Sequence, residues 1–141
     1  MASFNKYNQF VEDFANKVHD LFGTNDTLKV LLSNTAPNPS THQVKADATE
    51  ISAGNGYSAG GVDTQNDGTR SSGTLSVTGV DLTITASGGS IGPFRYVILY
   101  NDTPTSPADP LIGWWDYGSP ITLADGESFT VDFGSSMFTV A

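Results

Sequence analysis

The stretch "PLIGWWDYGSPITLADGESFTVDF", residues 110–133, holds both tryptophans of the chain. Leu111–Tyr117 reads as a strand. Residues 119–133 read as strand, Asp-Gly turn, strand. Adjacent strand residues point to opposite faces of a sheet. One of Trp114 and Trp115 therefore enters a core, and the other lies on the outer face. A large outward aromatic has to be covered by the helix, a loop or another chain. The pair cannot form one coplanar sugar-stacking platform, so the reading is core plus subunit contact.

The neighbouring segments extend this β pattern. "FRYVILYND" (94–102) is apolar on both faces and reads as a central strand. "TLSVTGVDLTITAS" (74–87) alternates Leu75 and Val77, then Val80, Leu82 and Ile84, with Gly79 expected as a bulge. "MFTVA" (137–141) reads as a last strand tying the C-terminal segment into the sheet, and "TLKVLLS" (27–33) as a strand joining it from the N-terminal side. With 15 Gly, 7 Pro and only 15% charged residues, the expected fold is mainly β. The architecture is an antiparallel β-sandwich or barrel-like core in a single domain, 1–141, with the β-core at 74–141.

Two further segments complete it. Phe4, Tyr7, Phe10, Val11, Phe14, Val18, Leu21 and Phe22 recur three or four apart, predicting one amphipathic helix over 4–22, capped by Ser3 and stopped at Gly23. Its aromatic face is expected to cover the sheet core or to dock on a neighbouring subunit. Residues 34–73 show no period and read as a long irregular arm, ordered by a partner such as a neighbouring subunit.

Composition narrows function. Six Lys plus Arg against 15 Asp plus Glu give a net charge of −9, and no base follows Arg95. Such a surface repels phosphate backbones, so no direct nucleic-acid binding is expected. No window approaches the ~18 apolar residues of a membrane span, so no membrane partner is expected. The N-terminal segment lacks a secretory pattern, and synthesis in the cytoplasm is expected. Cysteine is absent, which removes disulfide and thiolate chemistry.

No catalytic, metal or cofactor-binding site is expected. His19 and His42 have no nucleophile signature beside them, and no H-E-x-x-H pattern occurs. "DTQNDG" (63–68) imitates the start of a calcium loop, but Gln65 replaces a ligand and Thr74 stands where the bidentate acid belongs; it reads as an Asx-rich turn. "GNGYSAGG" (54–61) has no preceding strand and following helix to make a phosphate cradle. Arg95, the one base beyond residue 70, is expected to pair with a C-terminal acid.

Four blocks, "FNKYNQFVEDFANKVHDL", "ADATEISAGNGYSAGG", "SGGSIGPFRYVILYND" and the opening stretch, resemble in the same order a family of small tailed-bacteriophage virion structural proteins. The resemblance spans about residues 4–133. Gly92, Pro93, Phe94, Arg95 and Tyr96, then Gly113, Trp114, Trp115, Asp116 and Tyr117, carry its most distinctive part. It implies a non-enzymatic, capsid-decorating (cement) protein on the phage head surface. The implied partners are further copies of itself, a trimer being favoured, and the phage major capsid protein. Phe4, Tyr7, Phe14, Ile51, Tyr57, Arg95, Trp114, Trp115 and Tyr117 are the expected subunit or capsid contacts. The alternative is a tail or baseplate component that touches host glycan through Trp115, Tyr117 and a nearby Asp.

Overall fold

The structure, a computed structural model, describes residues 2–141. At its centre lies a strand with apolar side chains on both faces, β7 (Ile91–Asn101). It pairs antiparallel with β8 (Leu111–Leu123) on one side and with β2 (Leu28–Ser33) on the other. The short strands β1 (Phe4–Lys6) and β3 (Val62–Asp63) close this five-stranded sheet in the order β1-β8-β7-β2-β3. A second sheet runs β10-β5-β4, from Phe138–Val140, Thr74–Thr78 and Asp67–Ser71; β6 (Leu82–Thr85) pairs separately with β9 (Ser128–Val131).

Strand alternation sorts the large sheet into two apolar faces. Val30 and Leu32 of β2, Val97 and Leu99 of β7, and Ile112 and Trp115 of β8 point inward. There they meet Val77, Ile84, Val131 and Phe138 from the smaller sheets. That arrangement is the antiparallel, sandwich-like, mainly β fold expected from the sequence, with one short helix near the N-terminus. Leu31, Tyr96, Ile98, Tyr100 and Leu111 form a second buried cluster with Tyr7 on the opposite face. The chain covers this face itself: Leu111 N–H donates to the Gln43 carbonyl, Lys45 N–H to Asp109 and Asn8 N–H to Pro39. Double-sided burial is why "FRYVILYND" carries so few polar residues.

The helix is shorter than its periodicity predicts. Phe4–Lys6 pairs with Gly113–Trp115 as a strand, and helix α1 spans only Asn8–Ala15. Phe4, Tyr7 and Phe10 keep the three-residue spacing, but they serve different cores: Tyr7 joins the outer cluster, Phe10 the sandwich. Ser3 does not cap; Tyr7, in extended backbone, holds the N-cap position. At the other end Lys17 adopts φ +64, Val18 N–H reaches the Asp13 carbonyl and Lys17 N–H the Phe14 carbonyl. This left-handed terminating motif stops the helix well before Gly23.

The 34–73 arm is also not a free arm. The outward edge of β2 is satisfied residue by residue from within it. Thr64 N–H and Oγ1 donate to the Leu28 carbonyl, while Asn66 Oδ1 accepts from Leu28 N–H. Val30 pairs with Val62. Leu32 N–H donates to the Tyr57 hydroxyl, and the Leu32 carbonyl accepts from Ile51 N–H. An unpaired sheet edge is costly and sticky, so the chain's own edge, rather than a neighbour, orders this segment. Gly61 is required there, because a Cβ would collide with the Val30 carbonyl. The β-core also begins before residue 74, since β4 lies inside the presumed arm and forms a hairpin with β5.

Two local expectations change as well. Gly79 lies between β5 and β6, where the chain passes from one sheet to the other, and is not a bulge inside one strand. The Asp125–Gly126 turn does join two strands, yet β9 leaves β8 and pairs with β6. Asp125 instead accepts from Gly88 N–H, and Glu127 from Ala124 N–H, so the acids fasten the corner.

Candidate functional site

Register decides the two tryptophans. Val97 opposes Trp115 and Ile98 opposes Trp114 across the β7–β8 ladder. Trp115, 3% exposed, enters the sandwich core, edge-on to Phe4 at 5.4 Å and tilted against Phe133 at 5.6 Å. Trp114 takes the outer face, half-buried, with its ring 4.7 Å from Tyr7. The cover for the outward tryptophan is thus supplied by the residue that precedes α1. Gly113 leaves the space that β1 needs, since a Cβ there would run into the Phe4 ring and the Asn5 carbonyl.

By exposure the expected contact residues fall into three groups, with Arg95 and Trp114 among the half-buried ones. Tyr7, Tyr57 and Trp115 are buried in this chain and offer no contact surface. The Tyr57 hydroxyl accepts from Leu32 N–H and donates to Glu50 at 2.6 Å, and burial with that carboxylate raises its pKa well above the ordinary tyrosine range. Phe4, Ile51 and Tyr117 are half-buried; Phe4 stacks on Phe138 at 5.2 Å and Tyr117 meets Phe129 edge-on at 5.1 Å. Phe14 is the one of the nine that stands well out in solvent, 40% exposed. A glycan surface made of Trp115 and Tyr117 is therefore not built, because the first is core and the second packs against β9.

Arg95 pairs as charge scarcity suggested. Its Nε and Nη2 donate to the two carboxylate oxygens of Asp116 at 2.8 and 3.1 Å, and its guanidinium lies over the Tyr96 ring. Those bonds, with a third from Gly118 N–H, hold the Asp116 carboxyl below its usual range.

Two features escaped the sequence reading. The first is a buried polar network where the loop after α1 meets β7. Asn101 Nδ2 lies 2.7 Å from Asp26 Oδ2 and 3.0 Å from His19 Nδ1, and Asp26 also accepts from Asp20 N–H. Burial lowers the His19 pKa, although Asp13 and Asp26 pull the other way. Asp13 Oδ2 and His19 Nε2 have no hydrogen-bond partner. The second is a groove of about 270 Å³ between α1 and β10, lined by Lys6, Phe10, Val11, Phe14, Thr139, Val140 and Ala141. Val11 is 54% exposed at its rim. Helical spacing marked Val11 as apolar but could not show that no sheet covers it.

A larger cavity, about 390 Å³, opens between Val44–Glu50 and Ala108–Asp109. Its acid Glu50 is already held by the Tyr57 hydroxyl and Gly60 N–H, and Lys45 sits over the Tyr100 ring. "DTQNDG" is spent on local structure: Asp63 accepts from Gln65 N–H, and Asn66 bridges Asp26 and Leu28. Among the described residues no cluster of three or more His, Asp or Glu could hold a metal ion. No family model matches the chain, and no curated protein or solved structure matches it.

Proposed function

We propose that the protein is a non-enzymatic structural component of a tailed-phage virion, a homo-oligomer that decorates and stabilises the outer surface of the head. The observation that carries this reading is the convergence of the blocks resembling such proteins. "ADATEISAGNGYSAGG" lies along β2, with Ile51 and Tyr57 bonded to Leu32. Asn55 Nδ2 reaches the Ser90 carbonyl in "SGGSIGPFRYVILYND". That block, as β7, then pairs with "LIGWWDYG" in β8. Separated in sequence, the blocks join into one hydrogen-bonded unit, which suits a part whose task is to hold shape. Several polar side chains serve contacts within the fold: Arg95 with Asp116, Glu50 with Tyr57, and Asp26 with Asn101.

Immunogold electron microscopy on purified virions, with antibody against the recombinant protein, tests the placement. Regular label over the head is the expected result. Label confined to the tail tip would replace the decorating role with a tail role. Absence of the protein from a virion blot would remove the reading altogether.

A further inference from the structure

One amide decides the joint between β7 and the loop after α1. Asn101 is wholly buried, and its Oδ1 accepts from Thr103 N–H at 3.1 Å. That bond leaves Nδ2 on the other side, 2.7 Å from Asp26 Oδ2 and 3.0 Å from His19 Nδ1. Turning the amide over would lose Thr103 and set two acceptors, Asn101 Oδ1 and Asp26 Oδ2, against each other. Asn101 therefore presents only donors to the loop, and His19 Nδ1 has to be the bare, accepting nitrogen. The proton of the neutral ring sits on Nε2.

The elements packed around this ring offer it unequal company. Helix α1 brings Asp13 and the Phe10 ring, 5.2 Å away; the loop brings Asp26; β7 brings the uncharged Asn101. The charged groups acting on His19 are thus two carboxylates. Asp26 Oδ2 already accepts from Asn101 and from Asp20 N–H. Asp13 Oδ1 accepts from Gln9 Nε2 at 3.1 Å, whereas Asp13 Oδ2 and His19 Nε2 have no partner. Both residues are more than nine-tenths buried. An unmet donor and an unmet acceptor in one buried joint are costly, so a second arrangement that satisfies them competes readily with the first.

Protonation supplies that arrangement. A charged His19 carries N–H on both nitrogens. Nδ1–H and the Asn101 amide then meet donor to donor across 3.0 Å, and the bond to β7 is lost. The same charge is drawn to the carboxylates, and Asp13 Oδ2 is the oxygen with room to accept. We infer that His19 is an acid-opened latch: neutral, it fastens the loop after α1 to the end of β7 through Asn101, and charged, it lets go of β7 and pairs with Asp13. The movement is local to α1 and residues 16–22, because Gly23 is anchored separately by its paired bonds to Gly68. Burial opposes charging of the ring, which keeps the latch shut at neutral pH. The device belongs to the fold and does not require the virion role.

Two NMR measurements on the full chain test it. Long-range proton–nitrogen correlation of the His19 ring at neutral pH is expected to show a protonated Nε2 and a bare Nδ1. The opposite tautomer would overturn the latch. Amide hydrogen exchange, corrected for its intrinsic pH dependence, is then followed through the His19 titration. The amides of Asn16 and Val18, bonded to the Glu12 and Asp13 carbonyls, are expected to lose about tenfold protection or more as His19 charges. Those of Val97 and Leu99 in the β2–β7 ladder are expected to keep theirs. In His19→Gln, whose side-chain oxygen accepts but gains no proton in this range, Val18 should stay protected over the same pH interval. Equal loss in α1 and β7 would overturn the latch, since acid would then be unfolding the whole chain. Equal loss at Val18 in His19→Gln would overturn it by assigning the opening to another group. A His19 that stays neutral until the chain unfolds would overturn it as well. Should His19→Gln not fold, the tautomer and the wild-type exchange pattern still decide.

Discussion

Arg95 and Asp116 face each other across β7 and β8 with two parallel hydrogen bonds, Nε to Oδ1 at 2.8 Å and Nη2 to Oδ2 at 3.1 Å. Both side chains are 36% exposed, so water weakens what this fork geometry contributes. Its value is directional: it fixes the register of a long ladder beside the bulge between Phe94 and Tyr96.

Arg95→Ala should raise the Asp116 pKa toward the ordinary carboxylate range without bringing it all the way, because the Gly118 N–H bond remains. The folded-state value is depressed, so the pair stabilises the fold above the unfolded pKa and loses that effect as pH falls through the folded one. Carboxyl NMR titration of both forms checks it. An unmoved Asp116 titration in the variant would show that Arg95 does not set it.

The two tryptophans should separate cleanly. Trp115→Ala removes a buried ring and should cost about 3–5 kcal/mol. Trp114→Ala removes a half-buried ring over Tyr7 and should cost about 1–2 kcal/mol. Urea unfolding gives both numbers. Acrylamide should quench the fluorescence of the Trp115→Ala protein, where Trp114 alone emits, more strongly than that of the Trp114→Ala protein.

Tyr57→Phe deletes one oxygen and leaves Leu32 N–H buried without an acceptor, a loss of about 1–3 kcal/mol. Deleting residues 47–61 removes that cap and the Ile51 bond together, so the shortened chain should fail to fold cooperatively rather than persist as an armless core. A sharp unfolding transition in the deletion protein would contradict the account of the β2 edge.

His19 should make the fold acid-sensitive. Its folded pKa lies below the usual value near 6.5, so between the two values the unfolded chain binds more protons. Stability therefore falls as pH drops below about 6.5 and stops falling, for this group, under the folded pKa. His19→Gln keeps an acceptor for Asn101 and should flatten the dependence between neutral pH and about pH 5. Midpoints of urea unfolding across that interval decide it. They do not overlap the acid window in which Asp116 titrates.

What could be read beforehand follows from where the determining interactions lie. β7, β2 and the first half of β8 were legible because double-sided burial leaves runs that are mostly apolar. The helix was overextended because Phe4, Tyr7 and Phe10 satisfy helical spacing while feeding two cores on either side of one sheet. The arm was illegible for a different reason. Tyr57, Thr64 and Asn66 help to order it through single side-chain bonds to β2, and such bonds have no period. The Arg95 pairing was legible because few bases compete, whereas the inward tryptophan waited on register, which a pattern alone does not fix.

The stacked rings of Phe4 and Phe138 bring β1 against β10, two strands far apart in sequence. A contact of such long sequence separation closes only once most of the intervening chain is ordered, so the sandwich shuts cooperatively rather than strand by strand. Until it shuts, the rings of Phe4 and Phe138 lack each other's cover, and a partly folded chain exposes aromatic surface that favours aggregation.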